Sequence, residues 1–488
     1  MENKNTVILI YPRLVEGEQS GKAPPPLSLL SLCSSLKERG KDVKLYDLRS
    51  YDNYETLLKS ISKSPVCFGL SAMISYQIRD GIHFSEAVHK IFPGVPVVWG
   101  GWFPTILPDI AISHPTIDIL VKGQGEVSFV ELVEALSTGG DLAEIKGITY
   151  KKNGKVFNNP PRNPVDLNSL PSVDYSLVDI SRSTMGDRFI NYISSTGCPH
   201  RCKFCNVQTV FGQKWMALAA LRVVNDIEML IKNYQVKMLE FYDDNLFVNI
   251  QRLRDIMNGF VEKKLDIRWV ANVRVNQFLR LTEEDIRLIR RAGCHTLTFG
   301  AESGNQKTLD FLQKDIKIEE IKEVAERLRN NDIVARYNFM VGIPGETPAD
   351  FQSTLKFILT LKEIHPGLEI VFYYYMPIPE SKLKYEDIKM GFKQPDTFEG
   401  WSRCIMGDVT KPWIYRIDKS IMEDKREKFK CMSFYFWKGY LLNDPVVGFT
   451  LRRFKMITIK VLSRLRVQTG IYIFPLEWKL FCRRHKSH

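Results

Sequence analysis

Three of the nine cysteines in this chain fall within eight residues, Cys198-Pro-His-Arg-Cys202-Lys-Phe-Cys205, just after a strand-like run at residues 190–194. Gly197 turns the chain into that loop. Three thiolates on one short loop can occupy three corners of a soft metal centre. A structural zinc site usually takes four protein ligands, often as paired C-x-x-C units. The next cysteine along the chain is Cys294, and His200, lying between two of the three, would strain so tight a loop if it also ligated. A three-thiolate set instead leaves one iron of a four-iron cluster without a protein ligand, and an open iron is a place for chemistry. So odd and sparse a cysteine count in 488 residues argues against a disulfide framework and for reduced thiols in a cytosol.

Such a loop needs a scaffold, and the chain is long enough for two or three domains. Over residues 1–140, short apolar runs at 7–11, 43–47, 66–71, 95–100 and 117–121 alternate with helical stretches, the first of which is closed by Gly40. Strand runs without clean alternation, separated by helices, predict a parallel sheet covered on both faces, a doubly wound, Rossmann-like α/β domain. Ligands of such sheets sit beyond the carboxyl ends of the strands. Residues 141–185 hold Pro160, Pro161, Pro164 and Pro171 with little periodicity and read as a linker. Over residues 186–400 the alternation resumes, with strands near 189–195, 237–242, 268–275, 295–301, 333–340 and 368–375, which predicts a partial (β/α)6 barrel. Thr282-Glu-Glu-Asp285 is close to a capping box, and Gly293 stands where a glycine would end that helix. Thr347-Pro348 pairs an N-cap with proline at the first helical position.

Hydrophobic residues at 44% and charged residues at 25% are globular values that exclude a disordered chain. No run of about 18 apolar residues is present, so no conventional spanning helix is expected. The N-terminus lacks the basic start and small-residue cleavage site of a secretory signal. Residues 411–488 carry 18 Lys+Arg against 6 Asp+Glu and so hold the whole net charge of +12. The C-terminal region, residues 401–488, is aromatic-rich, basic and expected to be mainly helical. On a helical wheel Leu451, Phe454, Ile457, Val461 and Leu465 share one side, while Arg452, Arg453, Lys455, Lys460, Arg464 and Arg466 lie mostly outside it. That pattern suits an anionic membrane surface or a helix that covers a domain.

A C-x-x-x-C-x-x-C loop after the first strand of a β/α barrel, with Phe204 before the last cysteine, resembles the radical S-adenosylmethionine (SAM) superfamily. The resemblance implies that Cys198, Cys202 and Cys205 hold a 4Fe-4S cluster whose open iron is chelated by SAM. One electron then cleaves SAM to methionine and a 5′-deoxyadenosyl radical, which abstracts hydrogen from an unactivated carbon while the protein positions the cofactor and excludes water. Other segments fit the same superfamily at later strand ends, where barrel active sites are built. Phe241-Tyr-Asp-Asp-Asn245 resembles the segment beside the SAM methionyl group, implying a role for Asp243 or Asp244; a helix N-cap is the plainer alternative. Gly300-Ala-Glu302-Ser-Gly304 resembles the ribose-side segment, although its carboxylate could instead pair with Arg274 or Arg336. Gly342-Ile-Pro-Gly345-Glu346 resembles the adenine-side loop. The SAM residues implied are Phe204, Asp243, Asp244, Glu302, Ser303, Gly342 and Gly345.

The first domain resembles the cobalamin-binding domain found ahead of many radical SAM barrels. The matching pieces are Pro24-Pro-Pro-Leu27, Gly69-Leu-Ser-Ala-Met73, Gly100-Gly101 with Thr105, and the run ending Gly123-Gln-Gly-Glu126. Glycines let backbone approach a large flat ligand, and Ser71 or Thr105 could bond its side-chain amides. The implied cobalamin residues are Pro25, Leu27, Ser71, Met73, Tyr76, Gly100, Gly101, Thr105, Gly123, Gly125 and Glu126. Two departures stand out. Gln124 replaces the family's usual glutamate, and the D-x-H-x-x-G motif that gives cobalt a histidine is missing, since His83 follows Asp80 at the wrong spacing.

The resemblance covers roughly residues 6–375 and implies either methyl transfer through methylcobalamin or ring closure and rearrangement without it. Methyl transfer to a hydrophobic, lipid- or tetrapyrrole-like substrate is the expectation, with a cyclase as the alternative. Trp401, Trp413, Tyr415, the run Phe434-Tyr-Phe-Trp437 and Tyr440 would line an apolar cavity. A flavodoxin- or ferredoxin-like protein is the expected electron donor. No nucleic-acid partner is expected, and the location is cytoplasmic with membrane-peripheral contact through the basic tail. A zinc-binding or nucleic-acid-binding protein is the alternative from another class.

Overall fold

The computed structural model describes residues 5–15, 24–51, 53–73, 75–180 and 188–403, together with 458–459, 461–466 and 469 near the C-terminus. The first sheet contains β1 (Thr6–Tyr11), β2 (Asp42–Asp47), β3 (Phe68–Ser71), β4 (Val97–Gly100), β5 (Ile119–Val121), β6 (Ile148–Lys152) and β7 (Lys155–Asn158). Their order is β2-β1-β3-β4-β5-β6-β7, parallel through β5 and antiparallel beyond it. Along β1, Val7 and Leu9 enter one buried cluster while Ile8 and Ile10 enter another on the opposite face. Burial on both faces is why these strands read as unbroken apolar runs. Chain order reverses between β1 and β3, which opens a crevice at their carboxyl ends.

The sheet does not stop at residue 140. Ile148–Lys152 and Lys155–Asn158 form a hairpin that extends it, so the expected linker over 141–185 is linker only after Asn158. The turn is Asn153-Gly154, both at positive φ, as a two-residue hairpin requires.

The second sheet is wholly parallel and six-stranded, in the order β15-β14-β13-β12-β11-β8. Its members are β8 (Phe189–Tyr192), β11 (Met238–Phe241), β12 (Arg268–Val273), β13 (Cys294–Glu302), β14 (Val334–Val341) and β15 (Glu369–Tyr374). They make the partial barrel. A small antiparallel ribbon of β9 (Ser195–Gly197) and β10 (Trp215–Ala217) frames the cysteine loop. Local chemistry sets the helix ends. Thr282 and Asp285 close a capping box on the helix Glu283–Arg291, and Gly293 follows at φ +93° with no room for a Cβ, which would stand 2.0 Å from Ile267 O. Thr347 caps Pro348–Ile364 with Asp350 as its reciprocal partner.

The two domains are braced by the helix Phe398–Ser402. Phe398 packs on Trp99 and Phe103 with ring centroids 5.1 and 5.4 Å apart, and His114 Nε2 lies 3.1 Å from the Glu399 carboxylate. Trp401 is fully buried in that joint, and the hollow it lines with Asp387 and Phe392 holds only about 10 Å³, so it is core and not the expected wall of a substrate-sized cavity. Trp413, Tyr415, residues 434–437 and Tyr440, along with most of the basic C-terminal region, lie outside the described residues. Among the described residues no helix is long and apolar enough to cross a membrane.

Candidate active site at the strand ends

Gly197 starts the cysteine loop at φ +80°, where an added Cβ would stand 2.1 Å from Lys214 O. The three cysteines are unpaired, Cys202 buried and the other two partly so. Burial pushes the Cys205 thiol up to about 11, and Cys198 and Cys202 are near enough to add to that. Side chains from two other strand ends reach the sulfurs. Asn245 Nδ2 lies 3.6 Å from Cys198 Sγ, and Arg274 Nη1 donates to Cys202 Sγ over 3.0 Å. His200 is turned toward Gln277 at 3.2 Å, and burial pushes its ring down to about 4, so it is neutral. Among the described residues no three His, Cys, Asp or Glu side chains gather round one point as a single ion needs. Three soft donors on one short loop, two already accepting N–H bonds, fit the corners of a cluster.

The expected SAM residues divide into two groups. Some hold the loops themselves. Asp243, buried, accepts from Ser194 N at 2.8 Å, Ser194 Oγ at 2.7 Å and Ser195 Oγ at 2.5 Å; burial pushes its carboxyl up to about 6. It therefore fastens β11 to the β8–β9 bend and is not a helix cap. Asp244 accepts from Gly197 N at 2.7 Å. Ser303 is fully buried beside Thr354. Gly342 and Gly345, at φ +76° and +81°, shape a turn whose Gly342 N–H bonds Glu346 Oε2 at 2.7 Å.

The others face open space. Glu302 ends β13 at φ +62° after an irregularity in the strand register, and its Oε1 accepts from Lys314 Nζ at 2.6 Å. It pairs with neither Arg274 nor Arg336; the latter bonds Glu369. Glu302, Phe204 and Asn338 line a cavity of about 220 Å³ with Met340, Tyr373, Tyr375, Met376 and Ile378. Lys314 Nζ also sits 5.6 Å from the Phe204 ring centroid. Sequence reasoning missed Lys314 and Asn338. The signal for Asn338 was a lone amide inside an apolar strand run; its Oδ1 is buried without a hydrogen-bond partner. Lys314 carried no signal beyond its charge.

At the carboxyl ends of β1, β3, β4 and β5 lies an apolar cavity of about 280 Å³. Of the residues that the resemblance assigns to cobalamin, Leu27, Ser71, Gly100, Gly101, Gly123, Gly125 and Glu126 line it. Pro25, Met73, Tyr76 and Thr105 do not. Thr105 Oγ1 instead donates to Gly101 O at 2.7 Å and accepts from Gly123 N at 2.9 Å, tying two strand-end loops together. Met73 is 44% exposed just past β3. Gly101, at φ +95°, brings its loop so close that a Cβ would stand 2.8 Å from Ala72 O. The cavity's other wall was not foreseen. It comes from the linker, through Leu170, Pro171, Val173 and Tyr175, and from the barrel, through Tyr192, Thr196, Arg222 and Asp226. Gln124, the departure from the usual pattern, accepts from Val165 N at 2.8 Å and anchors that linker. A volume near 280 Å³ with apolar and glycine walls would admit part of a corrinoid.

Here a barrel that works at its strand ends carries a second cofactor domain ahead of it. Residues 192–358 match the Radical SAM superfamily and residues 17–133 the B12 binding domain. The chain is 34% identical over 342 residues to an uncharacterised methyltransferase of Pyrococcus horikoshii, covering 69% of this chain and 73% of that protein. It is 26% identical over 349 residues to the anaerobic magnesium-protoporphyrin IX monomethyl ester cyclase of Synechocystis, covering 69% and 68%. Its fold is similar to that of the cobalamin-dependent SAM radical enzyme OxsB solved with aqua-cobalamin and SAM, with a TM-score of 0.73 at 17% identity over 99% of this chain and 75% of that one. The chain belongs to the radical SAM superfamily, in the branch with a B12-binding domain before the barrel. Its cofactors are the 4Fe-4S cluster, SAM and cobalamin.

Proposed function

We propose that the protein moves a methyl group from SAM, by way of cobalamin, to an unactivated carbon of an apolar small molecule of tetrapyrrole- or lipid-like character. One observation carries the reading. The cavity at the first sheet's strand ends is walled partly by Thr196, two residues before Cys198, so it reaches the strand that leads into the cysteine loop. When bound, the cluster and SAM supply hydrogen abstraction, and cobalamin supplies the methyl group.

The chain's own residues arrange that chemistry. Cys198, Cys202 and Cys205 ligate the cluster. Glu302 accepts from the SAM ribose while Lys314 balances its charge, and Asn338 Oδ1 offers an acceptor in the same cavity. Phe204, Met340, Tyr373, Tyr375 and Met376 give that cavity its apolar side. The apolar walls of both cavities and the methyltransferase and tetrapyrrole-cyclase relatives support this substrate class. A flavodoxin- or ferredoxin-like donor supplies the electron. The basic tail rests on an anionic membrane face, a reading supported by Val461 and Leu465, 52% and 51% exposed next to Arg464 and Arg466.

The test is one anaerobic assay with reconstituted protein, cobalamin, a strong reductant, methyl-deuterated SAM and tetrapyrrole or lipid extracts. Rising 5′-deoxyadenosine and S-adenosylhomocysteine together, with deuterated methyl in the product, is the expected result. Deoxyadenosine rising alone, above a substrate-free control, would replace methyl transfer with cyclisation or rearrangement.

A further inference from the structure

Arg274 follows β12 and is 8% exposed. Its Nη1 donates to Cys202 Sγ at 3.0 Å, its Nη2 donates to the Lys314 carbonyl, and its Nε lies 3.4 Å from Asn276 Oδ1. Among the described residues no carboxylate is within ion-pair distance of it. Arg336 bonds Glu369, Arg254 bonds Asp285, and Glu302 is held by Lys314. A buried guanidinium without an anion is costly. The side-chain acceptor that the Arg274 fork reaches beside the cysteine loop is the Cys202 sulfur. Among the described residues the only other side-chain bond to these sulfurs, from Asn245 to Cys198, is neutral and longer at 3.6 Å.

We infer that Arg274 sets the reduction potential of the cluster through its charged N–H···S bond to Cys202. The inference rests on Cys202 being a cluster ligand. One-electron reduction adds negative charge that the cluster shares with its ligating sulfurs. A charged donor on one of them stabilises the reduced state more than the oxidised one, which raises the potential. Arg274 does not touch the reacting carbon; it is a positioning residue for the electron. Its second bond, to Lys314 O, fixes the guanidinium plane, so lysine would supply the charge without the fork.

The experiment uses full-length protein reconstituted with iron and sulfide, titrated anaerobically with dithionite and mediators, and followed by the electron paramagnetic resonance of the reduced cluster. Arg274→Gln should keep wild-type iron content while the reduced-to-oxidised ratio at a fixed potential falls about tenfold, which is ~59 mV for a one-electron couple. Arg274→Lys should fall between that variant and wild type. An unchanged potential in Arg274→Gln with the cluster intact overturns the inference. Loss of the cluster in both variants also overturns it, because the side chain would then only assemble the loop. The ligand reading fails separately: Cys202→Ala with wild-type iron and signal would refute it whatever Arg274 does.

Discussion

The Glu302–Lys314 pair links stability and ligand binding in a way that one set of substitutions can separate. The charges lie 2.6 Å apart with side chains 12% and 7% exposed, and the Glu302 oxygen and the lysine ammonium stand 2.4 and 2.8 Å from where a Cβ on Gly300 would be. The pair thus fills the space that glycine leaves at the end of β13. Removing one partner of a buried pair strands the other charge, at a cost of about 3–5 kcal/mol, whereas replacing both by neutral groups of similar shape is close to neutral. Lys314→Met and Glu302→Gln should each destabilise by about that amount, and the double variant should recover to within ~1 kcal/mol of wild type. At about 1.4 kcal/mol per tenfold, hydrogen exchange of the β13 amides should speed up by between about a hundredfold and a few thousandfold in each single variant and return to near the wild-type rate in the double. SAM affinity, measured by equilibrium titration of the reconstituted protein, should stay low in the double variant despite its recovered stability. Additive destabilisation in the double, or exchange changed by less than about tenfold in the singles, would refute the buried-pair reasoning. Retained SAM affinity would remove Glu302 and Lys314 from the binding site.

Gly197→Ala should place a Cβ 2.1 Å from Lys214 O in a left-handed backbone conformation, so the reconstituted iron-to-protein ratio should fall sharply while cobalamin absorbance persists. Asp387 accepts from Tyr375 Oη at 2.9 Å, and burial pushes its carboxyl up to about 7. Because its native pKa exceeds the unfolded value, its stabilisation is complete below about pH 4 and is lost as pH rises through about 7. The urea midpoint should therefore fall between pH 5 and 8, and Asp387→Asn should flatten that slope by an amount on the order of a few kcal/mol. Gln124→Ala removes the acceptor for Val165 N, which should cost about 1 kcal/mol, speed exchange at Val165 and weaken cobalamin several-fold in an absorbance titration.

The parallel strands of both sheets were legible because each is a short β-branched or aromatic run bounded by helices with local stop signals such as Gly40 and Gly293. The β6–β7 hairpin was missed although Asn153-Gly154 is a strong turn signal, because lysines on both strands break the apolar pattern of an edge hairpin. The cysteine loop was legible because its chemistry is local: three thiols on eight residues need no fold to bring them together. Arg274, Lys314 and Asn338 come near that loop only because the end of β12, the turn after the helix Gln306–Phe311 and β14 lie side by side in the fold. Pairing across strand ends has no spacing in the sequence. The same reason explains Trp401, whose aromatic character suited a cavity wall while its partner Phe103 lies almost 300 residues earlier in the chain.

Several polar residues in the recognised motifs bind their own loops: Asp243 holds Ser194 and Ser195, Thr105 holds Gly123, and Asp244 holds Gly197 N. Those motifs then act first by building rigid strand ends, on which backbone and apolar walls meet the cofactors. Asp244 separates this reading from direct contact because burial raises the pKa of its carboxyl while its Oδ2 grips the turn that launches the cysteine loop at 2.7 Å. Asparagine keeps an acceptor for the Gly197 N–H and alanine does not. If loop-building is its role, Asp244→Asn should retain the wild-type iron ratio and SAM affinity within a few-fold, while Asp244→Ala loses iron first, in line with a hydrogen bond of about 1–3 kcal/mol to a charged group. If both variants keep their iron and lose SAM affinity equally, the carboxylate charge itself meets the ligand, and Asp244 returns to the binding residues.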